Sequence, residues 1–351
     1  MTDMEKSYTN LKKIAEKNGE IEFEAEVPVA ILDEYIKEEL ARAAADFSWP
    51  GFRKGKVPKN IVREHMNEMA ILDAAADEAL HDVIPEIAAD EKLSVLGRPQ
   101  LTITKIAPKN PLGFKIRFAL SPAVALPDYK KIAGAITARA TKIEVEEKEV
   151  DAAIERIRKM IPVTGPSKDI ATPSELTDDF VKQLGPFENV AAFRTEMKKR
   201  ITEEKELELT EAKRDEMVRE IVKQSKVTVP QMLVEQEIED WKDNRDAELE
   251  RAGLTLEKYL EQVKKTADEL ERGARAEIEE QMRTSFVLRE IRREEKIEAD
   301  EKEIRENIAH LKRRYPNENE GSLAGAAQAI AIQKKMFEIL EGKAENKKVP
   351  A

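Results

Sequence analysis

The sequence has no cysteine, so disulfides and thiolate metal sites are excluded. It has no run of about 20 apolar residues, and no membrane-spanning helix is expected. Aromatic residues make up only 5% of the 351 residues. A thick globular core is therefore not the expectation. Charged residues reach 37%, a composition that suits long solvated helices. A net charge of −11 argues against general nucleic-acid binding. The first eighteen residues are polar and charged rather than a leader peptide, which suggests a cytosolic chain of two or three domains.

Against this acidic background, Gly51 to Arg63 carries five Lys or Arg and no acid. Its head is Gly51-Phe52-Arg53-Lys54-Gly55-Lys56-Val57-Pro58. Glycines let a tight loop project its tip. Arg53 can pair bidentately with a carboxylate or phosphate, and Lys54 and Lys56 add point charges. Phe52 beside Arg53 is the pairing expected at an interface hot spot. The competing reading is a solvated loop with Phe52 tucked under its own domain.

The periodicity predicts an α+β unit followed by helices. Glu20 to Val27 alternates strictly, with Ile21, Phe23, Ala25 and Val27 on one face, as in a half-buried strand. A helix is expected from about Ala30 to Ala45, with Ile31, Tyr35, Ile36 and Leu40 facing inward, and a short one from Pro58. Another is expected over Met69 to Ala89, with Leu72, Ala76, Leu80, Val83 and Ile87 as its stripe. Strands around Leu101–Ile103 and Phe114–Leu120 follow, with Asn110-Pro111-Leu112-Gly113 as the turn between them.

The expected domains are an α+β unit over residues 1–120, an extended linker over 121–145 and a helical domain over 146–351. The linker includes a strand-like stretch from Ala135 to Val145. In the helical domain, Thr266-x-x-Glu269 and Asp300-x-x-Glu303 have the form of capping boxes. Ala252-Gly253 is a helix stop. Proline and glycine breaks rule out a sustained coiled coil and favour separate helices packed into a bundle or arms.

The block from Gly51 to Pro58 resembles the ribosome-docking signature of the trigger factor family, bacterial chaperones that meet nascent chains at the tunnel exit. All six fixed positions of Gly-Phe-Arg-x-Gly-Lys-x-Pro match. Further segments are similar to that family. They are Leu176-Thr177-Asp178-Asp179-Phe180, then Val229-Pro230-x-x-Leu233-Val234-x-x-Glu237-Ile238, then Gly253-Leu254-Thr255-Leu256-Glu257-Lys258-Tyr259-Leu260. The resemblance implies an α+β ribosome-binding domain followed by a mainly helical chaperone domain with arms.

It also implies docking through Gly51, Phe52, Arg53, Lys54, Gly55, Lys56 and Pro58 to a large-subunit protein and adjacent rRNA. The clients are unfolded and nascent polypeptides, and neither a cofactor nor a membrane is called for. Whether the free protein forms a homodimer stays open. Family members usually carry an FK506-binding-type prolyl isomerase domain of roughly 85 residues or more. Here only about a dozen residues, 162–173, stand in its place, so isomerase activity is not carried over.

Adaptable apolar side chains in the helical part are the candidate client contacts: Met217, Met232, Leu233, Met282, Phe286, Ile330, Met336 and Phe337. The competing reading is core, the usual place of apolar residues at helical spacing. The alternative function is a helical chaperone or scaffold that acts off the ribosome. His65, His81 and His310 have no metal-ligand spacing, and Gly321-Ser322-Leu323-Ala324-Gly325 lacks the lysine of a phosphate loop.

Overall fold

The computed structural model describes residues 6–50, 52–53, 57–58, 61, 68–160 and 176–343. Gly51, Lys54, Gly55, Lys56, most of the helix expected from Pro58, His65, Ile161, the 162–173 connector and the tail beyond Lys343 lie outside them.

Strand β1 spans Thr9–Lys17 and β2 spans Glu20–Val27. They form an antiparallel hairpin whose turn is Asn18-Gly19, both with positive φ. Two such residues match the right-handed twist of the flanking strands. The strand β1 was not expected from the sequence. Only Leu11 within it is half-buried, and its lysines hide the alternation. Charged side chains of this kind are usual on an edge strand. Strands β3 (Val95–Lys105) and β4 (Leu112–Leu120) complete a four-stranded antiparallel sheet in the order β1-β2-β4-β3. The turn between them centres on Pro108-Lys109, not on 110–113, because Leu112 and Gly113 already pair in the ladder.

Helix α1 (Val29–Asp46) and helix α2 (Glu68–Asp90) cover one face of this sheet. The core holds Ile21, Phe23, Ala25 and Val27 from β2, and Phe114, Ile116 and Phe118 from β4. Leu72, Ala76, Leu80, Val83 and Ile87 come from α2. Phe23 and Phe118 meet edge to face with ring centroids 6.3 Å apart, a preferred aromatic geometry. On α1 the fully buried residue is Leu32, while Ile31, Tyr35 and Ile36 are half-buried beside it. The opposite face of the sheet is charged. Glu22 stands across from Arg117 and Glu24 from Lys115, opposite-charge pairs that support the register.

Residues 121–145 are not extended throughout. After the short strand β5 (Val124–Ala125), helix α3 runs over Tyr129–Thr137. The strand expected from Ala135 to Val145 is therefore helix at its start and irregular from 138 to 146. Asp128 explains the difference: its carboxylate accepts the Lys131 N–H at 3.0 Å, satisfying a free donor of the first turn. Among the described residues no strand pairs with the 138–146 stretch, so alternation alone does not make it β.

Helix α4 (Glu147–Met160), α5 (Asp178–Leu184) and the 35-residue α6 (Val190–Gln224) follow. Strand β6 (Lys226–Val227) pairs with β5. Then come α7 (Gln231–Arg251), α8 (Leu256–Val263), α9 (Ala267–Glu294), α10 (Glu301–Arg314) and α11 (Glu320–Leu340). Gly253, at φ 66°, ends α7 as its position predicts. The Thr266–Glu269 capping box forms reciprocally, with bonds of 2.9 and 3.2 Å. The Asp300 box closes only on the aspartate side, because Glu303 is drawn to Lys334 at 2.9 Å.

Packing joins distant stretches of chain. One compact unit comprises residues 1–125 and 226–288, the other 126–225 and 289–351. In the first, α7 docks on the β3 edge of the sheet. Gly97 adopts φ 63° there, and the Gln236 carboxamide accepts the Arg98 N–H at 3.1 Å while donating to the Arg98 carbonyl at 2.5 Å. Glu20 accepts the Met232 N–H at 2.8 Å, capping α7 from the sheet. Val229, Met232, Leu233, Val234, Ile238 and Phe286 bury themselves with Ala119. In the second unit, Val150, Ile154, Phe180, Val181 and Phe193 tie α4, α5 and α6 together.

Candidate functional site

The basic loop begins where α1 stops. Phe47 is the C-cap of α1, with extended backbone. It stacks on Trp49 almost parallel, ring centroids 6.1 Å apart. The Phe52 N–H donates to the Trp49 carbonyl at 3.0 Å, closing a reverse turn. Ala44 and Val57 are buried together, with Phe47 and Ile61 packed against them. This small apolar clasp brings the outgoing and returning chain together.

Phe52 is 42% exposed and Arg53 is exposed beside it. Arg53 forms no ion pair with any described residue. Pro58 is exposed on the returning limb. The ring is not sealed inside its own fold, so the tip presents an aromatic and a guanidinium together. That combination can bury the ring in a partner's pocket while the fork pairs with a carboxylate or phosphate.

The proposed client contacts are placed differently from one another. Met217, Met232, Leu233, Phe286, Met336 and Phe337 are buried core residues. Met282 is half-buried against the cluster around Met232 and Phe286. Only Ile330 of the eight is exposed, at 43%. The six buried ones lie on the inward faces of α6, α7, α9 and α11, where helical spacing marks core. Exposed large apolar residues sit elsewhere, among them Leu207 on α6 and Met160 at the end of α4. Leu207 shares a glutamate-rich run with Leu209, and no helical period marks it.

His81 lies 3.6 Å from Asp82 on the exposed side of α2, and His310 is exposed on α10. Gly321 gives its N–H to the Asn319 cap at 2.7 Å. Among the described residues no cluster of His, Asp and Glu is placed to hold a metal ion. None of their helices is long and apolar enough to cross a membrane.

Two family models match the chain. One is described as bacterial trigger factor protein, over residues 9–157, and the other as bacterial trigger factor protein C-terminus, over 189–343. No family model of a prolyl isomerase domain matches. Curated relatives named trigger factor include one from Moorella thermoacetica, 24% identical with 94% of each chain covered. Another, from Streptomyces coelicolor, is 23% identical over 82% of this chain and 78% of its own. The Moorella alignment runs over 429 positions against a chain of 351, so that relative has segments this chain lacks. A solved structure titled for promiscuous substrate recognition by the trigger factor chaperone superposes with a TM-score of 0.59. It does so at 15% identity, over 96% of this chain and all of the other.

Proposed function

This chain belongs to the bacterial trigger factor family, and from that premise we propose that it is an ATP-independent, ribosome-associated holdase of the cytoplasm. It docks beside the exit tunnel through Phe52, Arg53 and the adjoining Lys54 and Lys56, on a ribosomal protein and the neighbouring rRNA. There it shields apolar segments of nascent chains. The observation that carries this reading is the exposed Phe52–Arg53 tip held out by the Ala44–Phe47–Val57–Ile61 clasp. Weak contacts to several apolar patches at once give useful affinity without a nucleotide step. With no isomerase domain, the chain acts by binding alone, and a proline-limited refolding assay should show no rate above background.

The test is cosedimentation with large ribosomal subunits. Changing Phe52, Arg53 and Lys54 together to Ala should abolish pelleting while leaving the far-ultraviolet circular dichroism intact. Pelleting of wild-type protein should weaken as salt rises, because part of the affinity is screened charge. Undiminished pelleting of the triple variant would remove the loop from the interface.

A further inference from the structure

The irregular stretch after α3 is strapped along α6. The Lys213 ammonium donates to the Arg139 carbonyl at 2.7 Å and reaches the Thr137 carbonyl at 3.5 Å. The Lys205 ammonium donates to the Glu144 carbonyl at 2.9 Å and to the Glu149 carboxylate at 2.7 Å. The Arg139 guanidinium pairs with Glu216. Lys205, Lys213 and Glu216 fall near one face of α6, spaced by eight and three residues.

Lys205 and Lys213 stand about 12 Å apart along the helix axis, and five residues of strap cover the distance. The strap therefore covers about 2.4 Å per residue, well beyond a helical rise and short of full extension, and runs antiparallel to α6. Ile143 and Val145 are half-buried while Lys142, Glu144 and Glu146 face solvent, as in a bound extended peptide.

Two features set this contact apart from ordinary packing. The lysines grip main-chain carbonyls, which every polypeptide offers whatever its sequence. The charged anchors are solvent-exposed in part, so each adds little and the strap can be lifted. We propose that the Lys205–Glu216 face of α6 is a binding track for extended polypeptide, occupied at rest by the chain's own residues 138–146. Client segments displace this strap and take over its carbonyl contacts. The inference rests on the holdase reading and assigns it a site that reads backbone rather than side chains. Recognition of that kind accounts for breadth without a large exposed apolar surface.

The probe is fluorescently labelled, reduced and carboxymethylated α-lactalbumin, which stays unfolded. A resident strap lowers apparent affinity by the fraction of molecules whose track is free. Arg139→Ala with Ile143→Ser should then tighten binding by about threefold or more. Adding Lys205→Met and Lys213→Met, which keep the apolar stems, should remove that gain.

The chain lacks cysteine, so Ile143→Cys in the otherwise unchanged protein gives a single thiol. Its maleimide labelling should speed up when the probe binds. An unchanged labelling rate at saturating probe, or no tightening in the strap variant, would overturn the track. If wild-type protein binds no probe at all, the holdase reading itself fails, and the two failures are thereby distinguished.

Discussion

Gly97→Ala tests how the α7 arm is held to the sheet. Gly97 has φ 63°, and an added Cβ would stand 2.6 Å from both Gln236 Oε1 and Leu233 Cδ2. Left-handed backbone at a residue with a Cβ costs about 1 kcal/mol. Relief of the clash also pushes Gln236 off Arg98, losing two hydrogen bonds of about 1 kcal/mol each. The expected local destabilisation is about 3 kcal/mol, or roughly a hundredfold loss of protection against amide exchange. It should be confined to peptides covering Leu96–Gln100 and Gln231–Ile238.

Gly253 is the control: φ is 66°, but nothing lies within 4 Å of an added Cβ. Gly253→Ala should carry only the backbone strain, about 1 kcal/mol, at the end of α7. Hydrogen-exchange mass spectrometry on both variants separates strain from docking. Equal effects at the two sites would refute the claim that the Gln236 clamp holds the arm.

Met217 is 1% exposed, so Met217→Ala should destabilise its unit by about 2–5 kcal/mol in urea titration. Ile330→Asp should leave stability within about 0.5 kcal/mol and is the one of the eight expected to lower client capture directly. Thr266→Ala should cost the first turn of α9 about 1 kcal/mol, seen as faster exchange over residues 267–270.

A last prediction concerns the α3 anchor. Burial alone would push the Glu295 carboxyl up, but hydrogen bonds from Lys130 and Tyr129 hold it below its ordinary value. A depressed carboxyl contributes stability above its unfolded value and loses it as pH falls through the folded one. Glu295→Gln should therefore weaken the unit by about 2 kcal/mol at neutral pH. The deficit relative to wild type should shrink on the acid side of 4.5, followed by thermal melts. A deficit constant down to acid pH would show that the charge is not what anchors α3.

Local pattern carried much of the architecture. The alternation of Glu20–Val27 and the stripe of α2 bury the residues that their periods select. The Asn18-Gly19 turn was also present in the sequence, but the lysines of β1 masked the strand it announces. For the α3 region the cap at Asp128 outweighed the alternation that follows it. The basic loop was legible because an acid-free run on an anionic chain is a one-dimensional signal, and its resemblance to a known motif is likewise read along the chain.

Amino-acid order alone determined most of the elements, through strand and helix periods, caps and stops, and the cationic run with its phenylalanine; that the ring stands exposed was decided by the structure. Tertiary structure alone decided which apolar stripes became core, because a helical period marks a face without saying what covers it. Six of the eight apolar candidates were covered. It also decided that residues 226–288 close on the N-terminal sheet and that residues 138–146 lie along α6. Those contacts join residues 61 to 212 positions apart through a few hydrogen bonds, an apolar cluster and one glycine's missing Cβ, and no local pattern encodes them.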